Sequence, residues 1–281
     1  ALSPSAFLQP NNQARPKQSP LFMLTVISPA KTLNFETPSA CTDFTRPKFL
    51  SQSRKLIQIL STKTNEDIKS LMSLSDNLAE LNVDRYRKWK APAKIGATAR
   101  QAIYAFMGDV YQVLDFSSLK PSDRTFAQDN LRILSGLYGI LKPLDLIAPH
   151  RLEMGTSLSN EHGRSLYAFW GDAQTRFINR EIKNQDNPTL LNLASDEYFK
   201  AIKPKTLKAR IVTPRFLDSN DGKTYKVMSF YAKRARGAMT RWVIENRIDS
   251  SEQIVEFKAD RYRYDSKRSE ENQPVFTRSH A

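Results

Sequence analysis

The chain has 281 residues, 43 of them Lys or Arg against 29 Asp or Glu, for a formal net charge of +14. That length and a hydrophobic content of 40% suffice for one large domain or two small ones with a real core. The lone Cys41 excludes an intrachain disulfide and fits a reducing compartment, the scattered His150, His162 and His280 leave no usual zinc or di-iron spacing, and no apolar run approaches the roughly eighteen residues of a membrane helix.

Ala1–Phe22 holds four prolines, Arg15 and Lys17, no acid and no helical period, and reads as a disordered extension ahead of a domain spanning 23–281. Leu24–Ser28 (LTVIS) is short, apolar and β-branched, the pattern of a buried strand. It runs into Pro29-Ala-Lys31-Thr32. A lysine just past a first strand sits where α/β proteins place ligands, and a surface lysine on a turn fits equally. Pro47–Asn82 is helical in pattern, with Asn65 as a cap, and Asp84–Lys90 reads as a solvated helix end. Thr98–Leu114 reads as one helix through Ile103, Phe106, Val110 and Val113, and Ser165–Ile182 as another. The two share an echo, Tyr104-Ala-Phe-Met-Gly-Asp109 and Tyr167-Ala-Phe-Trp-Gly-Asp172. Glycine inside a helix costs about 1 kcal/mol against alanine, so its use at matching places suggests close approach of another backbone.

Leu131–Gly155 carries Gly136 and Gly139, Pro143 and Pro149, and the basic residues Arg132, Lys142, His150 and Arg151. Asn130 to Leu134 fits the last turn of a helix that Gly136 ends, and Pro143 suits the first turn of the next. A helix, glycine hairpin and helix of this kind either aims backbone N–H groups at a phosphate or is an ordinary corner in a core. Leu190–Ala194 reads as a second buried strand, after which Ser195 and Glu197 are either catalytic or the cap of a helix over Asp196–Ile202. Ala209–Pro214 and Tyr225–Tyr231 are further strand candidates, with a turn at Asn220-Asp-Gly222 between them.

The segment from Lys200 to Arg247 has thirteen Lys or Arg and three acids, so most of the net charge lies here, and a localised basic face points to a polyanionic partner. Within it Ser229–Asn246 predicts a helix with an apolar stripe of Tyr231, Ala235, Ala238, Met239 and Trp242. Lys233, Arg236 and Arg247 point the other way, and Arg234 and Arg241 flank them, Arg241 in reach of Glu245. Near the end, Tyr262–Tyr264 and Val275–Thr277 read as an edge hairpin with fraying last residues.

Six stretches in this order resemble the peroxide stress protein YaaA family of bacteria. They are Ile27-Ser-Pro-Ala-Lys-Thr-Leu33, Ala99-Arg-Gln-Ala-Ile103 with Phe106 and Gly108-Asp-Val-Tyr111, and Leu134-Ser-Gly-Leu-Tyr-Gly139 leading to Pro143-Leu-Asp145. The others are Tyr167 with Phe169-Trp-Gly-Asp172, Asn192 to Lys200, and Ser229-Phe-Tyr-Ala-Lys233 with Ala235-Arg-Gly237. The resemblance implies a single domain mixing helices and strands, a mixed central sheet with surrounding helices and a helix-hairpin-helix-like element. It implies a cytoplasmic protein of the peroxide response that binds double-stranded or branched DNA through a basic cleft, and is linked to DNA repair and to limiting iron damage. The hairpin role falls on Gly136 and Gly139, although this chain has two residues between its glycines where the common hairpin has one.

The DNA-binding residues expected are Gly136, Gly139, Lys142, Arg151, Lys233, Arg234, Arg236 and Arg241, contacting phosphates with little sequence preference. The alternative is an enzyme acting on a nucleobase or a phosphorylated substrate near Lys31, with Glu153, Ser195 and Glu197 as its catalytic groups and Ser28 and Asp172 at other strand ends. No metal and no cofactor is expected.

Overall fold

A computed structural model describes residues 23–37 and 41–281. The expected extension, Ala1–Phe22, lies outside the described residues. The first strand, β1 (Met23–Ile27), is buried along its whole length, as an apolar run covered on both faces should be. After the short β2 (Thr32–Leu33) come three helices, α1 (Leu50–Leu60), α2 (Asn65–Met72) and α3 (Asp76–Lys88). The cap of α2 is Thr64 rather than Asn65. Its hydroxyl accepts from the Asp67 N–H at 3.1 Å and the Asp67 carboxylate accepts from the Thr64 N–H at 2.9 Å.

The single helix expected over Thr98–Leu114 is instead four short pieces: β3 (Arg100–Gln101), α4 (Ala102–Ala105), β4 (Phe106–Met107) and α5 (Asp109–Leu114). Its apolar positions are buried by neighbours on several sides, so they mimic a helical stripe without needing one helix. Next, α6 (Pro121–Asn130) opens on a proline in its first turn and leads into β5 (Leu131–Ser135) and β6 (Gly139–Leu141), followed by β7 (Leu146–Ile147). The second long helix also breaks, into α7 (Leu166–Trp170) and α8 (Ala173–Glu181), at Gly171 with φ +53°. The two echoed glycines thus interrupt helices. Gly171 does so by its left-handed conformation; Gly108 does so as extended backbone close to Ala30.

The remaining elements are β8 (Thr189–Leu193), α9 (Asp196–Phe199), β9 (Arg210–Val212), β10 (Arg215–Ser219), α10 (Ser229–Glu245), β11 (Arg263–Tyr264) and β12 (Val275–Ser279). The strand expected at Tyr225–Tyr231 is not one. Only Lys226 bridges back to Asp218, and α10 has begun by Ser229.

The central sheet runs β6-β5-β1-β8-β9, parallel except for the antiparallel edge strand β6. Register places Ile27 opposite Ile133 on one side and Leu193 on the other. A second sheet, β10-β12-β11, holds β12 in the middle, parallel to β10 and antiparallel to β11. The pairing of β11 with β12 follows the expected hairpin, but the end does not fray. His280 is held by its N–H to the Ser219 carbonyl at 2.8 Å and by Nε2 against Asp218 at 2.9 Å. The chain is a mixed α/β protein, and among the described residues no helix is long and apolar enough to cross a membrane.

Candidate functional site

The chain leaves β1 for β5 on one side and leaves β8 for β9 on the other, so the carboxyl ends of β1 and β8 flank a crevice at the switch point of the central sheet. The crevice holds about 400 Å³ and is lined by the segments after β1 and β8, the start of α5 and two residues of α10.

Its floor ties the two strand ends together. The Ser28 hydroxyl accepts from the Ser195 N–H at 2.8 Å and donates to Ser195 Oγ at 3.2 Å. Tyr111 donates its hydroxyl to the Ser28 carbonyl at 2.8 Å, and burial holds this phenol well above its ordinary pKa, so it stays a neutral donor. Burial likewise pushes Tyr198 up, with Glu197 and Glu153 adding to the shift.

The rim carries the charges. Lys31 Nζ lies 2.7 Å from Glu153 Oε2, and Arg151 Nη2 lies 3.0 Å from Glu153 Oε1, so two cations share one carboxylate. Glu197 turns its carboxylate to the Gly155 N–H at 2.9 Å, while its own carbonyl accepts from the Tyr167 hydroxyl at 2.8 Å. Ser195 stands at the N-cap of α9, as the cap reading expects, but its hydroxyl makes no cap hydrogen bond, and both Ser195 and Glu197 lie in the crevice lining.

The last wall is α10, which presents Lys233 and Arg236. Gly237 is what allows this. A Cβ there would lie 2.3 Å from the Val110 carbonyl oxygen, so α10 seats directly on the backbone of α5 and brings Arg236 to the crevice. Arg236 is half-buried, and burial lowers its pKa with Asp196 opposing, yet a guanidinium remains charged. Neither Lys233 nor Arg236 makes an ion pair among the described residues. The buried face of α10 is Ala232, Ala235, Gly237, Met239, Thr240, Val243 and Ile244, rotated from the expected stripe because α5, α6 and β10 all pack on it.

Lys31, Glu153, Ser195, Glu197, Lys233 and Arg236 thus converge, with Arg151 joined through Glu153. The other expected residues do not. Gly136 and Gly139 belong to a β-hairpin, not a helix-hairpin-helix element, because Leu131–Ser135 joins the central sheet as β5. Both glycines are buried, the Tyr138 N–H of the hairpin donates to Ser135 Oγ at 3.1 Å, and two of its carbonyls are taken from within the core. Trp170 Nε1 donates to the Gly136 carbonyl and Gln174 Nε2 to that of Gly139, each at 2.9 Å. Arg132 is buried against Glu181 at 2.6 Å, and Lys142 lies at the opposite end of the sheet, 3.5 Å from the same carboxylate. Arg234 leans over the Phe230 ring. Arg241 anchors α10 to the end of α5, donating to the Leu114 and Asp115 carbonyls and the Ser118 hydroxyl, and pairs with Glu245 at 2.8 Å. Arg247 has left the helix and pairs with Asp123 at 2.6 Å.

Sequence reasoning gave no role to Asp109 and Tyr111, which line the crevice; the Gly108 break that positions them was hidden in an apparent helix. Asp172 lies outside the lining, paired with Arg176 on α8. Among the described residues no three His, Cys, Asp or Glu side chains are grouped to hold a metal ion.

Fold and site define a mixed α/β protein with a crevice at the switch point of its sheet, where cations gather above a hydroxyl-lined floor. The family model for "Peroxide stress protein YaaA" matches residues 23–268. A UPF0246 protein of Polynucleobacter necessarius subsp. necessarius (strain STIR1) is 51% identical over 256 residues, which cover 91% of this chain and 98% of that protein. The chain belongs to the peroxide stress protein YaaA family.

Proposed function

We propose that this protein serves the peroxide response as a cytoplasmic DNA-binding protein, taking phosphate groups of duplex or branched DNA at the crevice with little base preference. Its protective effect against iron- and peroxide-linked damage then comes from occupying damaged DNA or aiding its repair. The observation that carries this reading is Arg236, half out of water and without an ion-pair partner among the described residues, beside Lys233 and Lys31. A charge so placed costs free energy unless an anion meets it. A phosphodiester chain supplies such anions at close spacing.

The test is binding of duplex and junction DNA across a salt series by the wild type and by Lys233→Ala/Arg236→Ala. Each lost phosphate contact removes about 0.9 from the slope of log K against log salt, so the variant slope should be shallower by about 1.8. Absence of duplex retardation by the wild type at moderate salt sinks the reading.

The same crevice supports a second reading, an enzyme acting on a nucleobase or a phosphorylated small molecule. What favours it is the gathering of Glu153, Glu197, Ser28 and Ser195 beside the cations. Specific binding of a nucleoside monophosphate with no affinity for duplex DNA would select it.

A further inference from the structure

We infer that a trough at the amino end of the central sheet is a second binding site for a nucleic-acid backbone, so that one molecule holds two duplex segments. The inference rests on the DNA-binding reading above and adds a surface that the crevice does not include.

The trough holds about 1310 Å³ and opens where β5 begins and where α8 turns toward β8. Arg46 and Lys48 enter it from the segment ahead of α1, and Arg180 and Lys183 from the end of α8 and just beyond. All four are exposed, and none makes an ion pair among the described residues.

Two of the four acids of the walls are occupied. Glu181 is held by Arg132 at 2.6 Å and Lys142 at 3.5 Å. Asp145 is buried, accepting from the Thr45 hydroxyl at 2.6 Å and the Lys142 N–H at 2.8 Å. Asp129 and Asp249 are the remaining acids of the lining. Four unpaired cations on facing elements thus outnumber the two unpaired acids, leaving the trough with an excess of positive charge. An open basic channel reads the backbone rather than the bases.

The crevice sits at the carboxyl ends of β1 and β8, and the trough at the amino end of the same sheet. A five-residue strand is about 17 Å long, so the two sites present separate surfaces rather than one continuous contact.

Two measurements on the full chain test this. The first is the salt slope for a single duplex with Arg180→Ala/Lys183→Ala and with Arg46→Ala/Lys48→Ala. Each pair, added to Lys233→Ala/Arg236→Ala so that the trough is the site left to bind, should make the slope shallower by about 1.8 than that variant's. The second is co-capture, in which a biotinylated duplex retains a separate fluorescent duplex through the protein. Co-capture should occur with the wild type, and should be lost both in the trough quadruple variant and in Lys233→Ala/Arg236→Ala, while each variant still binds one duplex. A single site in a self-associating protein gives a different pattern, with only one variant affected and that one losing all binding; this outcome overturns the inference. So do unchanged slopes or persistent co-capture in the trough variant. If the wild type binds DNA but never co-captures, the inference fails and the proposed function stands. If it binds no DNA, both fail.

Discussion

Arg236 and His150 show how one side chain's surroundings set its chemistry. Arg236 keeps its charge although half-buried, whereas His150 is neutral at ordinary pH. The imidazole is buried between Phe106 and Tyr138, with Nδ1 2.8 Å from the Ala148 carbonyl, and burial brings its pKa down to about 4. The unfolded chain protonates this histidine below about 6.5 while the native protein does not. Its contribution to stability is therefore intact above pH 6.5 and declines as pH falls toward 4, by roughly 3 kcal/mol in all. Urea unfolding of the wild type and of His150→Gln should diverge over this window, the variant showing the flatter dependence on pH. Parallel profiles would place the proton elsewhere.

Among the elements, α10 matters most, because its placement on α5 decides where Lys233 and Arg236 stand. Gly237→Ala forces a Cβ to within 2.3 Å of the Val110 carbonyl oxygen. We expect about 1–3 kcal/mol of destabilisation with weaker DNA binding. Gly96→Ala, where an added Cβ meets nothing within 4 Å, is the control and should change stability by less than about 0.5 kcal/mol. Thermal unfolding and DNA titration of both variants check this.

The elements that sequence pattern located well were β1 and β8, apolar runs buried along their whole length, with β9 as a short strand and α10 as a long helix. Pattern failed where burial came from several sides. Phe106 and Val110 look like one helical stripe, yet Gly108 between them turns the chain, and Leu131 and Leu134 sit in a strand that starts immediately after α6. The site was partly readable for the same reason. Lys31 and Ser195 follow strands, and strand ends in a parallel sheet are natural ligand positions. Which cations of the basic segment remain free was not readable, since Arg241 and Arg247 find partners distant in sequence, on and near α5 and on α6.

At the scale of the molecule, α10 joins α5 and α6 to the second sheet through β10. Beside α10, the second sheet closes on Asp218, which is fully buried and receives Tyr262 Oη at 2.6 Å, Arg278 Nε at 2.8 Å and His280 Nε2 at 2.9 Å. Two of these three come from the segment at and after β12. Deleting residues 275–281 strips Asp218 of the Arg278 guanidinium and the His280 imidazole and removes the sheet's middle strand. Loss of such a buried pair costs about 3–5 kcal/mol. The shortened protein should melt earlier and bind a hydrophobic dye that the full chain excludes; an unchanged melting temperature would contradict this account.

The position of β12 also bears on synthesis. A ribosome delivers β10 first and β11 next, and these two are not neighbours. The strand that separates them emerges about sixty residues after β10, so the second sheet cannot zip up in the order in which it is made. Until then β10 presents a bare edge beside a helix already carrying its cations, and the growing chain is most open to wrong pairing in the interval just before its own middle strand arrives.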